Sequence, residues 1–101
     1  MELELLIKQA NELAKAKPSY HYNPQTIEKI IRDGVIPEGA VIAHVGDQKL
    51  VREGDEVVCY KDGKATKRTP IDDNMMPHLL VQYAVTAAYA AAPSVKMGMV
   101  G

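Results

Sequence analysis

A chain of 101 residues has room for one domain, 1–101, and is too short for two ordinary ones. With 47% hydrophobic residues, 25% charged residues and a net charge of −1, it sets up no global field that would draw it to DNA or anionic lipid. A single cysteine, Cys59, excludes an intrachain disulfide and with it a disulfide scaffold.

There are five tyrosines and no Phe or Trp, so the core has to be aliphatic. The opening run MELELLIKQANELAKAK puts glutamates where a secretory leader carries positive charge, and it lacks a continuous apolar segment. The longest apolar stretch, around 79–92, is interrupted by Gln82 and Thr86 and is too short to span a bilayer. We therefore expect a soluble, cytoplasmic chain with no membrane contact.

Residues 2–17 predict an amphipathic helix. Leu3, Leu6, Ile7, Ala10, Leu13 and Ala14 recur on one stripe, Leu5 lies off it, and Pro18 stops the helix. After the loop 19–22, Asn23 is a good N-cap and Pro24 suits the first helical position. Ile27, Ile30 and Ile31 make the buried face of this second helix, and Gly34 ends it.

Residues 40–69 predict an antiparallel meander of four short strands, at 40–45, 48–52, 56–60 and 64–69. Gly46-Asp47, Glu53-Gly54-Asp55 and Lys61-Asp62-Gly63 join them. In that register His44, Lys49, Cys59 and Ala65 form one cross-strand row, with Ile42, Val51 and Val57 on the same face. The other face holds Val41, Ala43, Val45, Leu50, Val58, Arg52, Glu56 and Arg68, so we expect cover on both sides, from the helices on one and from another subunit on the other. A linker at 70–76 supplies Asp72, Asp73 or Asn74 as a cap. A helix then runs from Pro77 to about Ala92, where Pro93 stops it. Its polar residues His78, Gln82, Thr86 and Tyr89 fill a strip only about 80° wide. The fold class expected is α+β: two helices, a β-meander, and a long apolar helix with a short tail.

A helix so apolar is central in a core or clamped in an interface. The leading functional expectation is a non-enzymatic, self-associating interaction protein, a homo-oligomer whose interface uses Leu80, Ala84, Val85, Ala88, Met97 and Met99. Small size, neutrality and the lack of motifs suggest a phage or mobile-element protein. Tyr20, His21 and Tyr22 offer a loop that could anchor a protein partner or could simply plug the gap between the first two helices.

The alternative is a nucleic-acid-binding module. Lys61, Lys64, Lys67 and Arg68 against Asp62 give the third hairpin a local charge of +3. The segment 52–64, REGDEVVCYKDGK, resembles SH3-like modules of ribosome-associated proteins over that hairpin alone, and names no family. A third reading is a small enzyme or ligand-binder around His44, Lys49 and Cys59, in which a nearby ammonium favours the thiolate. In the expected register His44 lies two strands from Cys59, about 10 Å and too far for a nucleophile–base pair. The histidines have no metal-ligand spacing, and there is no glycine-rich phosphate loop or hydrolase elbow. We expect no cofactor, no metal and no catalytic residue.

Overall fold

A computed structural model describes residues 3–16 and 22–90 of the chain. The elements run α1 (Leu3–Lys15), α2 (Pro24–Asp33), β1 (Val41–Val45), β2 (Gln48–Glu53), β3 (Glu56–Lys61), β4 (Lys64–Pro70) and α3 (Met76–Ala90). This is the α+β class expected from the sequence, with three helices and a four-stranded antiparallel sheet in the order β1-β2-β3-β4. The predicted end of the last helix at Pro93, and the strand-like tail with Val95, Met97 and Met99, lie outside the described residues.

Local chemistry sets the helix ends. The Asn23 side chain accepts from the Gln25 amide at 2.9 Å, and Pro24 opens α2 with φ already suited to it. Gly34 closes α2 at φ +68, a left-handed conformation that costs a residue without Cβ nothing, and its amide bonds the Ile30 carbonyl at 2.9 Å. Of the acidic residues before α3, Asp72 accepts from the Met75 amide at 2.9 Å through its carboxylate, in the turn that leads into the helix.

The three helices pack on one another, and among the described residues only α3 also packs on the sheet, against β1. Leu6, Ala10 and Ala14 of α1 meet Ile27 and Ile31 of α2 and Leu80, Val81, Ala84, Val85 and Ala88 of α3 in one buried cluster. Ile27 and Ile31 are fully buried, each worth about 1.5–3 kcal/mol of removed apolar surface. The alanines keep the helix axes close.

The narrow polar strip of α3 ties these layers together. The Thr86 hydroxyl donates to the Ile42 carbonyl of β1 at 2.8 Å. The Tyr89 hydroxyl donates to the Ala14 carbonyl near the end of α1. Tyr22 packs beside it, ring centroids 6.0 Å apart, and its hydroxyl bonds the Asn11 side chain at 3.3 Å.

The sheet begins under α3 and ends away from it. β1 carries a bulge at Ile42, between the pairs Val41↔Val51 and Ala43↔Leu50, which turns Ile42 into the core with no exposure. Ala43, Leu50 and Val57 line the helix-facing side of the sheet and join the main cluster. At the far edge, β4 is exposed at every position except Thr69.

The expected register is corrected between β2 and β3. A three-residue link was expected, but Glu53 pairs with Glu56 across the two-residue turn Gly54-Asp55. Gly54 takes φ +60 at the first turn position, which keeps the strand twist continuous. The pairing moves by one residue, so Lys49 lies opposite Tyr60 and Cys59 opposite Leu50. A one-residue shift sends every side chain to the other face. Val57 and Cys59 therefore face the helices, and Lys49 and Val51 face away.

On that outer face the polar side chains of β2–β4 act as cover. Val51 and Val58 sit directly opposite each other, and Val58 is fully buried although no helix lies over it. The Tyr60 hydroxyl donates to Glu53 across this valine row, and Arg68 pairs with Glu53 at 3.4 Å and Glu56 at 3.3 Å. Part of the cover on this second face thus comes from within the sheet. At the other end of β2, the Arg52 guanidinium bonds the carbonyls of Ile36 and Gly54, which staples the segment after α2 to the β2–β3 turn.

Candidate functional site

The third hairpin, β3 with β4, holds the most exposed charge in the sheet. Its turn is Asp62-Gly63, with both residues at positive φ, +55 and +79, as the Asp-Gly signature of a tight hairpin requires. Lys61 and Lys64 close the turn as directly opposed partners. Two like charges at that spacing repel, so the hairpin holds them together against their own electrostatics.

A second bulge settles which side the next lysine takes. The ladder steps from Tyr60↔Ala65 to Cys59↔Lys67 and leaves Thr66 as the extra residue, its hydroxyl bonded to the Cys59 carbonyl at 3.2 Å. Lys64 and Lys67 are three apart, a spacing that puts side chains on opposite faces of a regular strand. Here the bulge absorbs one residue, and both stand on the face of Lys61 and Cys59.

That helix-side face carries Gln48, Leu50 and Arg52 on β2, then Val57, Cys59 and Lys61 on β3, and Lys64, Lys67 and Thr69 on β4. No strand residue in this set is acidic. Glu53 and Glu56, the strand carboxylates, stand on the other face. Lys61, Lys64 and Lys67 are all exposed, and among the described residues none is in an ion pair. The result is a patch of three ammonium groups within about two ladder steps, roughly 7 Å along the strands.

Arg68 was expected in the same set and is on the opposite face. Its neighbour in the ladder is Val58, and it is held by Glu56 and Glu53, which together stabilise its charged form. The basic hairpin is therefore a lysine face and a separately neutralised arginine.

The grouping of His44, Lys49 and Cys59 is not assembled. His44 and Lys49 are cross-strand partners on the outer face, while Cys59 points to the helix side and its thiol donates to the Gln48 side chain at 2.9 Å. The register shift at Gly54-Asp55 is the physical reason. His44 and Lys49 instead border a shallow cavity of about 160 Å³ with Tyr60 and Asp62. A second groove of about 360 Å³ runs over Val41, Val51 and Glu53 on the same face. No group of three or more His, Cys, Asp or Glu side chains among the described residues is placed to hold a metal.

The remaining sequence candidates divide cleanly. Leu80, Ala84, Val85 and Ala88 are buried inside this one chain. Met97 and Met99 lie outside the described residues, as do Tyr20 and His21. Tyr22 fills the gap beside α1, which is the structural alternative for that loop. No helix among the described residues is long and apolar enough to cross a membrane.

Sequence reasoning missed the common face of Lys61, Lys64 and Lys67, since KATK contains no sign of a bulge. The exposed Leu5 was visible as an off-stripe residue on α1. Leu3 and Leu13 belong to the expected buried stripe, yet they are 41% and 43% exposed, beside Leu5 at 46%. No family model matches the chain, and no curated protein or solved structure matches it either.

Proposed function

We propose that this chain is a non-enzymatic nucleic-acid-binding module whose contact surface is the lysine face of the β3–β4 hairpin. The observation that carries this reading is the segregation of charge: Lys61, Lys64 and Lys67 on one side, the strand glutamates and Arg68 on the other. The hairpin also lies at the end of the sheet away from α3, so a long polyanion can approach it without displacing the core. Phosphate backbones are the abundant polyanions that lysine ammonium groups neutralise, and release of their counterions drives such binding even at a near-neutral protein.

The test is fluorescence anisotropy of a labelled duplex at about 20 mM salt. Wild-type protein should bind, and K64E with K67E should not, at an unchanged far-ultraviolet circular dichroism spectrum. The competing role for these lysines is to keep the β4 edge from pairing with other chains. In that case wild-type protein shows no binding at low salt, and replacing the lysines with glutamine only promotes aggregation. That pair of results would remove the proposal.

Self-association is the second reading, and it moves from α3 to α1. Leu5 and Leu13 leave apolar surface on the outward side of that helix, with Gln9 between them. A solution mass above 11.1 kDa that falls on hundredfold dilution, and that drops to the monomer value in L5E with L13E, would support it. A single 11.1 kDa species throughout would dismiss it.

A further inference from the structure

Resting on that nucleic-acid reading, we infer that the lysine face binds the phosphates of duplex DNA without reading its sequence. Direct base readout needs groups that can present paired donors and acceptors to base edges, or rings on which unpaired bases stack. The helix-side face of β2–β4 has neither to spare. Its arginine, Arg52, spends its guanidinium on the carbonyls of Ile36 and Gly54. Its amide, Gln48, has its oxygen taken by the Cys59 thiol, so the paired donor and acceptor that reads an adenine edge is not free. The one aromatic ring on the strands, Tyr60, is on the other face with its hydroxyl on Glu53.

What remains are three lysines, compact point charges on flexible stems, which suit phosphate oxygens and carry no fork geometry for a base. Their placement suits the ligand. Duplex DNA carries one charge per about 1.7 Å of axis, so a patch roughly 7 Å long meets enough phosphates for all three. An anion lying between Lys61 and Lys64 would also relieve their direct opposition. The bulge at Thr66 is the device that brings Lys67 to the same side.

The experiment measures affinity for two duplexes of unrelated sequence and for one single strand, at several salt concentrations. The inference expects equal affinity for the two duplexes and weaker binding of the single strand. The log–log salt slope should be about −2.7, or a loss of about 500-fold between 20 and 200 mM salt. Each of K61Q, K64Q and K67Q should make the slope shallower by about 0.9. A tenfold preference for one duplex, or for the single strand, would overturn the inference and leave the proposed function standing. No binding of any probe at 20 mM salt, or a slope unmoved in the triple variant, would overturn both.

Discussion

Replacing Thr86 with valine keeps the shape of the side chain and removes one hydroxyl. In the folded chain that hydroxyl donates to the Ile42 carbonyl at 2.8 Å. Ile42 is the bulge residue of β1 and is fully buried. A bulge leaves the extra residue outside the ladder, so its carbonyl depends on a partner from elsewhere. Losing a donor to such a group costs more than the net worth of an ordinary hydrogen bond, about 1–3 kcal/mol. For a domain of this size, whose whole stability is about 5–15 kcal/mol, that is a large share. At about 4–8 °C per kcal/mol, a 2 kcal/mol loss lowers the melting temperature by roughly 8–16 °C. Thermal unfolding followed by circular dichroism reads this directly, with T86S as control. Serine keeps the donor and gives up only a methyl group, about 0.8 kcal/mol, so it should lose less than half as much. A T86V melting temperature within a degree of wild type would refute the account, and water would then be the partner of the Ile42 carbonyl. Equal losses in both variants would mean that the methyl group, which only serine gives up, is worth as much here as the hydroxyl.

V85D places a charge at a core position only 3% exposed and should cost several kcal/mol or leave the chain unfolded; an unchanged melt would mean the orientation of α3 is wrong. G63V asks a β-branched residue to adopt φ +79, and although no atom lies within 4 Å of the new Cβ, backbone strain should lower stability by about 1–3 kcal/mol in a urea titration. A neutral result there would mean the turn accommodates a different conformation. In an ultraviolet titration Tyr60 should ionise above its ordinary value, since the hydrogen bond to Glu53 favours the neutral phenol, with burial and the glutamate charge adding to it. A raised pKa means the stabilisation is complete below the unfolded tyrosine value and is lost as pH rises through the folded one, so stability should decline above about pH 10. In Y60F that late absorbance step disappears and the alkaline decline is smaller; an identical titration curve would place Tyr60 outside the Glu53 bond.

How far the sequence carried depended on whether the determining chemistry was local. Asn23-Pro24 and Gly34 each act on backbone groups within a few residues, and the caps they imply are present. Asp62-Gly63 has a local signature and its hairpin is present, but as a two-residue turn in which Lys61 pairs with Lys64, where Lys61 was expected inside the link and Ala65 opposite Cys59. Glu53-Gly54-Asp55 has no such uniqueness, because glycine serves a two-residue and a three-residue turn equally well. The choice between them falls to which face the valines bury, and that depends on helices far along the chain. The bulges at Ile42 and Thr66 have the same origin. Each corrects a mismatch between strand alternation and what lies above or beside it, so neither residue marks it in advance. The candidate site was therefore half legible: its lysines could be named, but not their common side, and not the removal of Arg68 by Glu53 and Glu56.

The central position of α3 bears on the order in which the chain can fold as it is made. Every strand pairing is with the next strand in sequence, so the meander closes through short loops and can form as soon as residue 70 is available. The helical cluster has no such freedom. α1 and α2 meet each other, and the rest of their buried surface waits for α3, about sixty residues after α1 and about forty after α2. Until those residues emerge, Leu6, Ile27 and Ile31 have little to bury against and are open to chaperones and to misassembly. A nascent chain long enough for residue 75, but not α3, to have left the ribosome should therefore carry a formed sheet beside unprotected helices. Release of α3 would convert it in one cooperative step, visible as the simultaneous gain of amide protection in α1 and α2.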